Sequence, residues 1–228
     1  MARESFERQL KLVLDQVLVL GSMVDQAVLE SLSALKRRDL VAAHRIFEAD
    51  MQINEKRYAI ESSCVTLIAT QQPMARDVRF LAAILEIITE LERIGDYAKG
   101  ICKINLLLSD EPVDQVILVE LEQMAKLGLD MLRRSLDAFV TCDTDIARAI
   151  PDEDEAVDKM YNQIYRKLVQ QMITDTTSVD RANHMMWAAH NLERMADRVT
   201  NICERIVYVA TGEIKELDTT EGAAAGFN

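Results

Sequence analysis

ELERIGDYAKGIC, residues 90–102, is answered 101 positions later by NLERMADRVTNIC, residues 191–203. Both carry Leu-Glu-Arg, two other residues and an Asp, and both end in Cys: Leu91, Glu92, Arg93, Asp96 and Cys102 against Leu192, Glu193, Arg194, Asp197 and Cys203. A separation of nearly half the 228-residue chain is the mark of a duplication. The first copy lies in an apolar series, Phe80, Ile84, Ile87, Leu91, Ile94, Ala98 and Ile101, whose three- and four-residue steps predict an amphipathic helix.

Working outward, Leu10, Val13, Val17, Leu20, Val24, Val28, Leu32 and Leu35 predict a first helix that stops near KRRD, with Asp39 placed to cap the next. A second runs from Leu40 to about Thr70 and ends before Pro73. The motif helix is the third, ending between Ser109 and Pro112, and each is ~45 Å long at ~30 residues. The plan then recurs. Helix four covers Val113 to Val140, helix five follows Asp143 with Pro151 in its first turns, and helix six follows TTSVD to about Ala210.

A shift of 104 sets SLSALKRRD from Ser31 on SLDAFVTCD from Ser135, then Ala43 on Ala147, Ile46 on Ile150, Asp50 on Asp154, Ile53 on Val157 and Asn54 on Asp158. The motif itself aligns at 101, so three residues are lost around QQP, in the connection between the second and third helices, where a deletion is tolerated. The expected fold is all-α: two tandem three-helix bundles with six long antiparallel helices, the first over residues 1–110, the second over 111–210, and a frayed tail over 211–228.

Composition agrees. Hydrophobic residues make up 49% and charged residues 28%, and only seven Gly and three Pro punctuate the chain. The balance is that of a globular protein, and the scarcity of turn residues favours long helices. A net charge of −12, from 38 acidic and 26 basic side chains, repels nucleic acid and anionic lipid, and with no Gly-rich cradle it disfavours free phosphate. The charged opening MARESFERQ lacks a signal's apolar stretch, and Lys11 and Asp15 interrupt LKLVLDQVLVLGSMV, so a cytoplasmic protein is expected. Cys64, Cys102, Cys142 and Cys203, far apart, read as reduced thiols.

The chemistry-bearing feature is a set of i, i+4 polar pairs: Asp50/Asn54, Glu92/Asp96, Asp154/Asp158 and Glu193/Asp197. Each pair shares a helix face beside apolar core positions, so neighbouring helices can bring two pairs together as oxygen ligands for a hard or borderline cation. The competing reading is a solvated, salt-bridged face in which Asp96 reaches Lys99 and Asp197 reaches Arg194. His190 shares the face of Glu193 and Asp197 and is a candidate added ligand or a structural imidazole; His44 and His184 have no such company. Trp187 with Met185 and Met186 reads as core by its spacing.

QQPMARDVRFLAAILEIITELERIGDYAKGI, NLERMADRVTNICERI and the acidic pairs at 50/54 and 154/158 resemble the PhoU family of phosphate-uptake regulators from about Ser5 to Tyr208. The resemblance implies a cytoplasmic homodimer that damps the high-affinity phosphate ABC transporter, through its ATPase subunit, and holds a phosphate-responsive histidine kinase inhibited when phosphate is ample. It also implies metal (iron, Mn, Mg or Zn) on the E/D-x-x-x-D motifs: Asp50, Asn54, Glu92, Asp96, Asp154, Asp158, Glu193 and Asp197. Asn54, a neutral amide, departs from the pattern. No nucleophile-base constellation or phosphate loop is present, so no enzyme is expected and no catalytic residue is assigned. Two rivals remain: a metal-free helical adaptor, and a ferritin-like di-metal carboxylate protein, which would need Glu-x-x-His on two helices where this chain offers only the inverted order from His190 to Glu193.

Overall fold

The computed structural model describes residues 2–108 and 113–217, and helices carry nearly all of it. The order is α1 (Ala2–Arg37), α2 (Leu40–Gln71), α3 (Ala75–Leu107), α4 (Gln115–Thr141), a short α5 (Thr144–Ala149), α6 (Pro151–Thr174), a 3-10 turn (Thr176–Ser178) and α7 (Val179–Thr211). No strand occurs among the described residues. The expected boundary between residues 110 and 111 lies outside the described residues, as does the tail beyond 217. The start of that tail is held: Gly212 caps α7 at φ +79°, a left-handed conformation that suits glycine, and the Leu217 N–H donates to Glu204 at 3.1 Å.

The duplication extends to the turns. Arg38 and Cys142 occupy equivalent places, and both take the left-handed conformation, at φ 53° and 56°. In each the next residue's N–H closes the helix end: Asp39 on Ala34 and Asp143 on Ala138, both at 2.9 Å. Asp39 then accepts from the Ala42 N–H, and Asp143 from those of Asp145 and Ile146, so each Asp caps the next helix. The paired serines are both buried and both bond back to a carbonyl at 2.8 Å, Ser31 to Val28 and Ser135 to Leu132.

In the second half that helix is broken. Pro151 has no N–H to bond back into the turn before it, so α5 ends at Ala149 and α6 restarts with proline in its first turn.

Each half packs its three helices antiparallel, and one apolar core runs through both, from Val17, Leu20 and Val24 through Ile84, Ile87 and Leu91 to Leu132, Val157, Ile164, Leu192 and Val199. The halves meet along two seams. In the first, Gly21 of α1 admits Leu136 of α4, flanked by Asp25–Arg133 at 2.8 Å and Lys36–Glu122 at 2.9 Å. In the second, α3 runs antiparallel to α7, and the carboxylate of Glu90, only 6% exposed, accepts from Arg93 at 2.7 Å, Arg198 at 3.3 Å and Asn201 at 3.1 Å.

By composition and length α1 would pass as a membrane-crossing helix. Its stripe of Val13, Val17, Leu20, Val24 and Val28 is instead buried in the core.

One side-chain reading changes. Trp187 is 50% exposed, its ring edge-on to His184 at 5.6 Å, and of the two methionines before it only Met185 is buried. Helical spacing cannot separate a core stripe from a boundary position, and residue 187 falls on the boundary. Cys64, Cys102 and Cys203 are buried free thiols, and burial pushes all three up to about 12, which keeps them unreactive near neutrality.

Candidate metal centre

The second and third helices of each half bring the predicted pairs face to face. In the first half Asp50 of α2 is 4% exposed, Glu92 of α3 is half-buried and Asp96 is exposed. Burial raises the Glu92 carboxyl above its ordinary range, with Asp96 adding to the rise, Arg57 opposing it and Asp50 adding to it again. Asp96, exposed as a residue, still has its carboxyl raised by partial desolvation and then by Asp50, against Lys99.

Lys99 is the residue that spacing misassigned. It does not pair with Asp96 three residues back. Its Nζ crosses to Asp50 Oδ2 at 2.7 Å and lies 5.2 Å from the centre of the Phe47 ring. A buried carboxylate loses far more than an exposed one when left without a cation, so Asp50 holds the ammonium and Asp96 stays in water. Asn54 donates to the same Oδ2 at 3.3 Å. Oδ1 of Asp50 is buried without a hydrogen-bond partner, and Asp50 lines a cavity of about 360 Å³ with Gly95, Ile53 and Ala27.

In the second half Asp154 and Asp158 of α6 and Glu193 and Asp197 of α7 are all half-buried. Glu193 is pushed up to about 7, first by burial, then by Asp197 and Asp158, with Arg194 and Arg198 opposing. Its Oε2 lies 3.2 Å from His190 Nδ1, close enough to pair with a protonated imidazole but not aligned as a hydrogen bond. The Arg194–Asp197 contact stands at 3.4 Å, as the spacing predicts. Thr200 donates to the Asp197 carbonyl at 2.8 Å, and the Tyr161 hydroxyl titrates high through burial and the Glu193 charge.

Among the described residues no three His, Cys, Asp or Glu side chains converge into a ready coordination site. The donor sets still differ in fitness for a hard cation. The second half crowds four carboxylates, and burial and then its neighbours' charge push Glu193 up to about 7. The first half offers three carboxylates and an amide, and there Lys99 already neutralises the buried member. The functional residues that sequence reading missed are Lys99, Phe47, Arg57 and Tyr161; only the internal alignment carries a signal for them.

The fold and the site together define a duplicated all-helical bundle with an acidic seam in each half. The PhoU domain profile matches residues 17–104 and 121–206, one copy in each half. The phosphate-specific transport system accessory protein PhoU of Serratia marcescens is 37% identical over 208 residues, covering 91% of this chain and 85% of that one. The crystal structure of the phosphate transport system regulatory protein PhoU from Streptococcus pneumoniae superposes with a TM-score of 0.85 at 34% identity, over 92% of this chain and 99% of that one. PhoU from Pseudomonas aeruginosa superposes equally well, TM-score 0.85 at 32% identity, over 91% of this chain and all of that one. The chain belongs to the PhoU family.

Proposed function

We propose that this protein regulates phosphate transport: it damps a phosphate ABC transporter and keeps a phosphate-responsive histidine kinase inhibited while phosphate is plentiful. The observation that carries the reading is the presence of two PhoU domains in order over nearly the whole chain, shared with relatives named as accessory proteins of the phosphate-specific transport system. A non-enzymatic, cytoplasmic role follows, exercised as a homodimer through contacts with the transporter ATPase subunit and the kinase. The −12 charge favours basic patches on those partners.

Within this role a divalent or trivalent cation binds at the acidic seams. Asp154, Asp158, Glu193 and Asp197 would hold it in the second half, with the cation screening the carboxylates' mutual repulsion. The metal-free adaptor is the second reading, and the Lys99–Asp50 pair favours it for the first half.

Deleting the gene tests the regulatory role. Phosphate uptake, and transcription driven by the kinase, are expected to stay high in phosphate-rich medium and to be restored by the intact chain. Unchanged uptake and unchanged kinase output in the deletion strain sink the proposal. Affinity capture from membranes is expected to recover the ATPase subunit and the kinase.

A further inference from the structure

The halves are duplicates, yet they fill the space between their first two helices differently. In the first half α1 and α2 part around a cavity of about 360 Å³, walled by Met23 and Ala27 of α1 and Ile46 and Ala49 of α2, with buried Asp50 and Gly95 behind them. At the equivalent place in the second half Met131 stands where Ala27 does and is 0% exposed. Above it Arg134 and Glu153, at the places of Glu30 and Ala49, join α4 to α6 at 2.8 Å. In the first half Glu30 turns instead to Arg45, at 3.4 Å, one turn nearer the start of α2, and the place beside Ala49 stays open. Ile53 with Gly95 against Val157 with Ala196 only exchanges volume between facing helices, so the space comes from Ala27 and Ala49.

The chemistry of the walls limits what the cavity can take. Asp50 Oδ2 is held by Lys99 at 2.7 Å and by Asn54 at 3.3 Å, whereas Oδ1 is buried with no hydrogen-bond partner among the described residues. A Cβ built on Gly95 would lie 3.8 Å from that oxygen, so Oδ1 borders the space that Gly95 lines. A buried acceptor without a donor is costly, and a ligand that brings an N–H removes that cost. Lys99 already supplies the cation, so a second positive charge would meet its like, and an anion would meet Asp50 and Glu30. The donor is therefore neutral. Alanines on both of two packed helices leave a slot that suits a flat ring, and the Met23 thioether suits an aromatic edge.

We infer that this cavity binds a small, uncharged heteroaromatic molecule of one or two fused rings, which donates a ring N–H to Asp50 Oδ1 and turns its outer edge toward Arg45 and Gln52. The volume falls in the range of small-molecule sites, roughly 300–1,000 Å³. The inference is independent of the metal and regulatory readings. It gives the first half a response to a small molecule that the second half, closed by Met131, lacks.

Indole and its isostere benzofuran, which has a ring oxygen in place of the N–H, are the probes. Each is titrated into the full chain and followed by the backbone amide chemical shifts of isotope-labelled protein. Indole is expected to bind with a Kd of about 1 mM or tighter, shifting the amides of Ala27, Ala49 and Gly95, and benzofuran at least tenfold more weakly. Ala27→Met, which carries the second half's residue, is expected to abolish indole binding, and Ala49→Leu to weaken it at least tenfold. No shift at these three amides at the solubility limit of indole overturns the inference, as do shifts confined to residues elsewhere. Equal binding of benzofuran overturns it too, because the cavity would then accept any ring without reading a donor. Undiminished binding by folded Ala27→Met places the ligand outside the cavity and has the same consequence. If Ala27→Met does not fold, Ala49→Leu and the two probes on wild type decide.

Discussion

Glu193 carries the most consequential single ionisation in the molecule. Its carboxyl is raised from an ordinary 4.5 to about 7, so between those values the folded protein holds a proton that the unfolded chain has released. The stabilising contribution is fully present below about 4.5 and is lost as the pH rises through 7. Discounted for solvent screening, it is on the order of 1–2 kcal/mol. Urea denaturation of metal-free protein is expected to show wild type losing stability from pH 5 to 8, with Glu193→Gln flatter over that window; parallel curves would refute the assignment. Lys99 makes the opposite kind of contribution. Lys99→Met strands the buried Asp50 carboxylate and is expected to cost about 2–4 kcal/mol in the same measurement, whereas Lys99→Arg retains most of it. Of this pair of sites, the sequence exposed the carboxylates and the Asn54 exception, because both lie inside the repeating pattern. It hid the Lys99–Asp50 bond, since spacing along one helix points Lys99 at Asp96, and only burial across two helices decides between the acids.

At the scale of elements, helix existence and order were legible because apolar periodicity and capping residues agree: Asp39 caps where predicted, and helix five starts just after Asp143. The split of helix five into α5 and α6 was not read from the sequence, which placed Pro151 in the first turns of a single helix. By interrupting the helix at the place equivalent to Phe47, Pro151 removes the ring that flanks an ammonium in the first half. The α3–α7 seam was not legible at all, since Glu90 belongs to none of the four repeated polar pairs and its partners Arg198 and Asn201 are more than a hundred residues away. Its antiparallel register makes equivalent positions meet: Glu90 faces Asn201, and Asn191, the counterpart of Glu90, packs over Gly100, the counterpart of Asn201. Glu90→Ala leaves Arg198 and Asn201 without their acceptor and is expected to cost about 3 kcal/mol in urea denaturation. A loss within 0.5 kcal/mol of wild type would mean that water replaces the carboxylate at no cost and that the seam is held by apolar contact alone.

For the whole molecule, the internal duplication suggests two bundles that could stand alone, while the packing argues that they do not. One core passes from α1 through α3 to α7, and each half presents to the other a helix face that is polar only where its partner answers it. Separating the halves would expose Gly21 and its apolar surroundings on α1 and would take Arg198 and Asn201 away from Glu90. Because the α3–α7 contact is itself nearly two-fold, a lone first half has a ready substitute for the missing α7, the α3 of a second copy. Residues 1–110 expressed alone are therefore expected to sediment as a dimer at micromolar concentration, with Glu90 of each copy facing Gly100 of its mate in the register of the α3–α7 seam. Glu90→Lys in that half-chain places like charges at the seam and is expected to return it to a poorly stable monomer. A half-chain that sediments as a monomer and unfolds cooperatively at the temperature of the full protein would show the bundles to be independent, and would move the source of the full chain's stability from the seams to the separate cores.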